Sequence, residues 1–198
     1  MKQISVLGAT GSIGQNTLDL IKSTKDEFEV VALTGSQNIK LLAQSAIDSN
    51  AKIVATSDDS KFNELKEILS GRNIKVLGGK NGILEASSAK VDWVMSAIVG
   101  SAGLLPGLTA MQAGANVALA NKESMVAAGP IMKKVSQERG VKLLPVDSEH
   151  SAVSQVIRGE DRETLDKIII TASGGAFRNR SIEELKKVTP YEASKHPN

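Results

Sequence analysis

Short apolar runs alternate along this chain with segments whose apolar residues recur every three or four positions, and that alternation decides the fold class. "QISVLG" (3–8) reads as a buried strand, and the following helix, from Ile13 to Ser23, places Ile13, Thr17, Leu18 and Ile21 on one face. "FEVVALTG" (28–35) is a second strand, followed by a helix from Ile39 to Ser49 with Leu42, Ala43, Ala46 and Ile47 inward. "AKIVATS" (51–57) is a third, after which Ser60 is expected to cap a helix running to Leu69. "IKVLGG" (74–79) is a short strand, and Asn81 to Ser87 supplies one or two helical turns. "DWVMSAIVG" (92–100), a helix from Leu104 to Ala113, "ANVALAN" (115–121), an amphipathic stretch from Ser124 to Arg139 and "VKLLPVD" (141–147) complete the series. Strands separated by helices imply right-handed crossovers and a mostly parallel sheet covered on both faces. The expected fold is therefore α/β, a doubly wound, Rossmann-like sheet.

After Asp147 the texture changes. "SEHSAVSQVIRG" is helical in period, "DKIIITASGGAF" reads as a strand running into a Gly-rich turn, and Ser181 with Glu184 forms a capping box for a short helix. "TPYEASKHPN" has neither period and reads as loop. The expected division is a nucleotide-binding domain over 1–146 and the start of a second, α+β domain over 147–198.

Composition limits the function classes. Twenty-four Lys and Arg against 22 Asp and Glu leave a net charge of +2, with no basic stripe or acidic tail of the kind that would suggest nucleic acid or a membrane surface. The absence of cysteine excludes disulfides, thiolate metal sites and a cysteine nucleophile, and fits a reducing compartment. The first strand begins at Gln3, so no signal or transit peptide is expected ahead of it, and no apolar run reaches membrane-spanning length. A cytoplasmic protein that takes small-molecule ligands is the expectation.

"GATGSIG" (8–14) spaces Gly8, Gly11 and Gly14 between a strand and a helix, the context in which a glycine motif can hold a dinucleotide. Such glycines serve a tight turn, close approach to pyrophosphate and close packing of helix on strand, while Thr10, Ser12 and the first helical N–H groups can donate to phosphates. The alternative is a turn with glycines for backbone reasons only. No acidic residue occurs between Glu29 and Asp48, where NAD sites usually carry one for the ribose 2′-hydroxyl, so the 2′-phosphate of NADP would meet no repulsion. Small polar donors from Gly35 to Asn38 could receive it, or form an ordinary polar turn.

In an open sheet of this kind, ligands lie outside the carboxyl ends of the strands, where "LANKES" and "PVDSEHS" both fall. Asn121, Lys122 and Glu123 offer an amide, a point cation and a carboxylate, or are simply solvated residues at a helix start. Asp147 and Glu149 project to one side if extended, suiting a hard cation such as Mg²⁺ or Mn²⁺ with substrate oxygens or a further carboxylate completing the shell. The alternative is an Asp cap and a first-turn Glu opening a helix at His150. "TASGGAF" (171–177) could cradle a phosphate through Ser173 and backbone N–H groups, or be only a tight turn.

In this order, "GATGSIG", "SAIVGSAGLLPGL", "LANKES", "PVDSEHSA", "TASGGAF" and "HPN" closely resemble the 1-deoxy-D-xylulose 5-phosphate reductoisomerase family, over the whole chain. The resemblance implies an NADPH- and divalent-metal-dependent enzyme of isoprenoid precursor synthesis (the methylerythritol phosphate, or MEP, pathway). Such an enzyme isomerises a ketose phosphate and reduces the product to 2-C-methyl-D-erythritol 4-phosphate. Carried onto matching positions, it implies cofactor contacts at Thr10, Gly11, Ser12, Ile13, Gly35, Asn38, Ala97, Asn121 and Glu123. It implies metal ligands at Asp147 and Glu149, for Mg²⁺, Mn²⁺ or Co²⁺, and sugar-phosphate contacts at Lys122, Ser148, Ser173 and His196. Lys122, Asp147 and Glu149 are thereby the catalytic candidates, and a homodimer is implied for the full-length family.

Three departures stand out: Gln37 where the family often has a basic residue, Ala176 where it usually has proline, and an end at Asn198 before further phosphate contacts, a third metal carboxylate and a helical domain. The first weakens the case for NADP and the second loosens the Gly-rich turn, while the last makes the chain resemble an N-terminal fragment, with negligible turnover expected of it alone. Aspartate-semialdehyde dehydrogenase, another "GATG" reductase, needs a cysteine that is absent. A non-catalytic NADP-binding or regulatory module is the remaining alternative, in which the motifs after Asp147 are scaffold.

Overall fold

Seven strands, all parallel, form one sheet in the order β4-β3-β2-β1-β5-β6-β7. The strands are β1 (Lys2–Leu7), β2 (Phe28–Gly35), β3 (Ile53–Thr56), β4 (Lys75–Gly78), β5 (Trp93–Ser96), β6 (Asn116–Leu119) and β7 (Leu143–Pro145). The computed structural model describes residues 1–24, 27–171 and 174–195. The order runs outward in one direction from β1 to β4 and in the other from β5 to β7, so the topological switch lies between β1 and β5.

Right-handed crossovers then send the helices to opposite faces. On one face are α1 (Ser12–Ser23), α2 (Ile39–Asp48) and α3 (Phe62–Ile68); on the other are α4 (Gly79–Ser87), α5 (Leu104–Gln112) and α6 (Lys122–Arg139). Val6, Leu33 and Val54 pack with Leu42 of α2 and Leu65 of α3 on the first face. Leu7, Val94 and Val117 pack with Met111 of α5 and Met132 of α6, and Ala32 and Ala55 meet Ile83 and Ala86 of α4, on the second. The register of β1 on β2 slips between Ile4 and Ser5, inserting one residue in β2. Val30 and Val31 are both buried, as are the residues that follow them, because β2 is an interior strand covered on both faces.

Several expected elements are corrected. Ser60 does not cap α3: it lies inside a 3₁₀ turn (Asp59–Lys61) that precedes the helix and is itself capped by Asp58, whose Oδ1 accepts from the Ser60 N–H at 2.9 Å and hydroxyl at 2.7 Å, while α3 starts after Lys61 with no side-chain cap. Ile13, expected on the inward face of α1, is 39% exposed in its first turn. The helix α6 is kinked at Ala128 (φ −145°, ψ 27°), two residues before Pro130, whose ring and missing N–H interrupt the helical ladder.

Contacts group the chain into two compact units, Met1–Ser151 and Ala152–Asn198. The helix α7 (Ser148–Val156) crosses the boundary, and α8 (Ile182–Leu185) carries the expected capping box of Ser181 and Glu184. In "DKIIITASGGAF" no described residue pairs with another strand, and Ile168, Ile169 and Ile170 are 53%, 76% and 65% exposed. A β-prone run becomes a strand only where a neighbour supplies its hydrogen bonds, and the second unit offers none among its described residues. The segment expected as loop contains α9 (Pro190–Ala193), with Thr189 and Glu192 forming a second capping box and Pro190 at its first turn.

Glu192 also accepts from the Arg180 guanidinium at 2.7 Å. That bond, followed by those from Thr189, lowers its pKa from 4.5 to about 2. The stabilisation is present above pH 4.5 and lost as pH falls through about 2. Amide exchange across α9 is therefore expected to accelerate between those values, and Glu192→Gln to flatten that step.

Candidate functional site

A cavity of about 480 Å³ opens at the carboxyl ends of β1, β2, β3 and β5, at the topological switch. Gly8 forms its floor, with φ +84° and its N–H donating to Thr34 Oγ1 at 3.0 Å. A Cβ on Gly8 would lie 2.6 Å from the carbonyl oxygen of Ala97, so glycine lets the turn after β1 approach the end of β5. A Cβ on Gly14 would lie 2.3 Å from the Gly8 carbonyl oxygen, so this glycine seats α1 against the turn. Gly11 differs, because its Cβ would meet only the Gly8 oxygen, at an ordinary 3.5 Å. It stands at the N-cap of α1 with no side-chain cap, leaving the first helical N–H groups directed at whatever occupies the crevice. Gln15 holds the turn from behind, its Nε2 donating to the Ala9 carbonyl at 2.7 Å and to Ser45 Oγ at 3.1 Å.

Of the expected cofactor positions, Thr10, Gly11, Gly35 and Ala97 line this cavity. Ser12 and Ile13 open α1 beside it. The Asn38 side-chain oxygen is used as a helix cap, accepting from the Leu41 N–H at 3.2 Å. Glu123 is exposed in the first turn of α6. Asn121 is only 5% exposed, and its Nδ2 donates to the Gly100 carbonyl at 3.0 Å and to Ser124 Oγ at 2.8 Å. Its Oδ1 is buried with no hydrogen-bond partner among the described residues. Gly103 accommodates it, since a Cβ there would lie 2.4 Å from Asn121 Nδ2.

Asn121 thus fastens the loop after β5 to the loop after β6. The next strand carries the chain of contacts on: Val146 N donates to the Leu119 carbonyl at 2.9 Å, and Lys122 Nζ stands 3.7 Å from Glu149 Oε2. "LANKES" and "PVDSEHS", 27 residues apart at Lys122 and Glu149, therefore meet at one edge of the sheet.

Of the two arrangements open to Asp147 and Glu149, the structure has the Asp cap and first-turn Glu rather than the extended segment, with α7 beginning at Ser148 rather than His150. Asp147, its side chain only 11% exposed, is the cap: Oδ1 accepts from the His150 N–H at 3.2 Å and lies 2.8 Å from His150 Nδ1. Glu149, half exposed, is held below the usual carboxylate range by its own backbone N–H, by the Ser148 hydroxyl at 3.0 Å and by the Lys122 ammonium. Two carboxylates of this kind are the hard oxygen donors that Mg²⁺ or Mn²⁺ takes, though two do not close its shell. No group of three metal-binding side chains occurs among the described residues. Ser173 and His196 lie outside the described residues.

Sequence reasoning passed over Gln15, the burial of Asn121 and Lys80, which lines the cavity from the second residue of α4. No spacing rule marks Lys80, because it reaches the site only through the strand order.

Sheet order, the crevice at its switch and the glycine turn define an α/β protein of the Rossmann-like class. Within that class, a family model for 1-deoxy-D-xylulose 5-phosphate reductoisomerase matches residues 4–129, and one for the C-terminal domain of the same enzyme matches residues 143–198. The chain belongs to the 1-deoxy-D-xylulose 5-phosphate reductoisomerase family. A curated relative of that name from a Ruegeria species is 50% identical over the whole chain, and the chain covers 50% of it. The solved enzyme from Zymomonas mobilis in complex with NADPH is 47% identical, with a TM-score of 0.93 over 99% of this chain and 52% of that one. A reductoisomerase in complex with NADPH, fosmidomycin and magnesium is 36% identical, with a TM-score of 0.86 over 100% of this chain and 52% of that one. The chain thus spans about half the length of the relatives it matches. No helix among the described residues is long and apolar enough to cross a membrane.

Proposed function

We propose that this chain carries the NADPH site and part of the metal and substrate site of an enzyme that converts 1-deoxy-D-xylulose 5-phosphate to 2-C-methyl-D-erythritol 4-phosphate. The observation that carries the reading is the 3.7 Å approach of Lys122 to Glu149, reached from the glycine crevice through Asn121. When bound, NADPH supplies hydride for the reduction and a divalent cation supplies the Lewis acidity that polarises the sugar's oxygens.

The chain's own residues do the rest. Gly8 and Gly14 hold the turn open for the pyrophosphate, and the uncapped first turn of α1 donates N–H groups to it. Ile98, Leu105 and Pro106 give the crevice an apolar wall for the nucleotide to pack against. Asp147 and Glu149 hold the cation, with the capping bond to His150 fixing the orientation of Asp147. Lys122 donates to a substrate hydroxyl or developing oxyanion, and Ser148, whose hydroxyl lies 3.0 Å from Glu149 Oε2, adds a second hydrogen bond. Ser173 and His196 complete the proposal as contacts to the sugar phosphate. NADPH in the crevice and the cation at the carboxylates thus converge on one anionic sugar phosphate, a division of labour that a simple nucleotide-binding module does not need.

Calorimetric titration of the chain with NADPH and with NADH, each with and without Mn²⁺, tests the reading. NADPH is expected to bind more tightly and Mn²⁺ to bind in its own right. Equal affinity for the two nucleotides, or no heat from Mn²⁺, would contradict it.

A further inference from the structure

The nucleotide crevice has one charged residue among its described lining, Lys80. It is the second residue of α4, a position that no glycine motif or spacing marks. Its placement is built by the neighbouring loops. Gly79 has φ +66°, and a Cβ there would lie 2.3 Å from Asp59 Oδ1, so the turn after β3 closes against the start of α4. That turn is in turn laced to the loop after β2: Ser57 N donates to the Gly35 carbonyl at 2.9 Å and Thr56 Oγ1 to the Ser36 carbonyl at 3.0 Å. Ser36, Ser57 and Lys80 therefore share one rim of the cavity, beyond the end of β2.

The other groups nearby are committed. Gln37, standing where a cation would serve a 2′-phosphate, gives its Nε2 hydrogen to Asp58 Oδ2 at 2.7 Å. Asp58 is held ionised by the Ser60 hydroxyl and N–H and by Gln37, which adds a negative charge beside the rim. Lys61 is engaged by Glu64 at 2.8 Å. Among the described residues, no hydrogen bond or ion pair engages the Lys80 ammonium. A 2′-phosphate carries about −1.5 to −2 charge near neutral pH, as phosphate monoesters do, and seated beside Asp58 it requires a cation.

We propose that Lys80 is the residue that selects the 2′-phosphorylated dinucleotide in this chain, with the Ser36 and Ser57 hydroxyls as its hydrogen-bonding companions. The inference rests on the nucleotide reading of the crevice given above and assigns to Lys80 the charge that Gln37 does not supply.

The test is titration of the whole chain with NADPH and with NADH, followed by nicotinamide fluorescence, for the wild type, Lys80→Ala, Lys80→Arg and the double variant Lys80→Ala with Gln37→Arg. Lys80→Ala is expected to weaken NADPH about tenfold to a hundredfold and leave NADH unchanged, as loss of a charge-assisted phosphate contact would. Lys80→Arg should retain most of the preference, and Gln37→Arg should restore part of what Lys80→Ala removes. If the wild type prefers NADPH and Lys80→Ala leaves NADPH binding intact, or weakens both nucleotides alike, the role of Lys80 is overturned and the nucleotide reading stands. If the wild type binds neither nucleotide, or both equally, the nucleotide reading itself fails and this inference falls with it.

Discussion

Gly8→Ala is expected to destabilise the chain by about 2–5 kcal/mol, the sum of left-handed backbone strain at a non-glycine residue and overpacking against fixed backbone. The strain arises because Gly8 has φ +84°; the overpacking arises because the new methyl would lie 2.6 Å from the Ala97 carbonyl oxygen. Backbone in the centre of a seven-stranded sheet cannot move aside without breaking the ladder of β1 on β5. At about 2–4 °C per kcal/mol for a chain of this size, the melting temperature should fall by about 4–20 °C. Gly14→Ala should behave similarly. Its helix-propensity gain of about 1 kcal/mol is outweighed by a contact of 2.3 Å with the Gly8 oxygen. Gly11→Ala is the control. Its backbone (φ −80°, ψ 167°) suits any residue and its methyl would meet nothing closer than 3.5 Å. Stability should change by no more than about 1 kcal/mol, the N-cap preference for glycine opposing the lower entropy of the unfolded chain. NADPH affinity should nevertheless fall tenfold or more, because the methyl projects where the pyrophosphate is proposed to lie. Thermal unfolding and nucleotide titration of the three variants separate the glycines that build the turn from the one that admits the ligand.

Asp147→Asn is expected to reduce Mn²⁺ affinity more than tenfold while leaving the melting temperature nearly unchanged. Asparagine caps a helix about as well as aspartate, so the bond to the His150 N–H survives. A neutral amide, however, is a much poorer ligand than a carboxylate for a hard cation. Asp147→Ala should lose both functions, costing about 1 kcal/mol through the missing cap. Isothermal titration with Mn²⁺ alongside thermal unfolding distinguishes a ligand from a cap. If the asparagine variant binds Mn²⁺ as the wild type does, Asp147 is a capping residue only.

The sheet was legible from the sequence because each strand is a short apolar run bounded by polar turns, and burial on both faces leaves no competing pattern. Ser60 looked like a cap because hydroxyls commonly are, but the aspartate two residues earlier starts a 3₁₀ turn that takes up the Ser60 N–H and hydroxyl. The apolar run Ile168–Ile170 shows the opposite limit: high strand propensity without a pairing partner yields no ladder. The helix at Pro190–Ala193 was hidden by its proline, which breaks a helix from within but starts one well at the first turn. At the site, the glycine crevice follows from local spacing. The meeting of Lys122 with Glu149 follows from two adjacent parallel strands ending in helices; the sequence placed both motifs at the carboxyl ends of strands, and the strand order makes those strands neighbours. Lys80 was invisible because the strand order, not any nearby motif, carries the start of α4 to the rim of the β2 loop.

The central claim is that the crevice above Gly8 and the carboxylates at Asp147 and Glu149 serve one small ligand. Nuclear relaxation by Mn²⁺ bound to the chain, read on the protons of bound NADPH, measures this most directly. The nicotinamide protons should broaden far more than the adenine protons, and the difference should vanish in Asp147→Asn. Equal broadening at both ends of the nucleotide, or none at either, would place the cation away from the reducing end and contradict the claim.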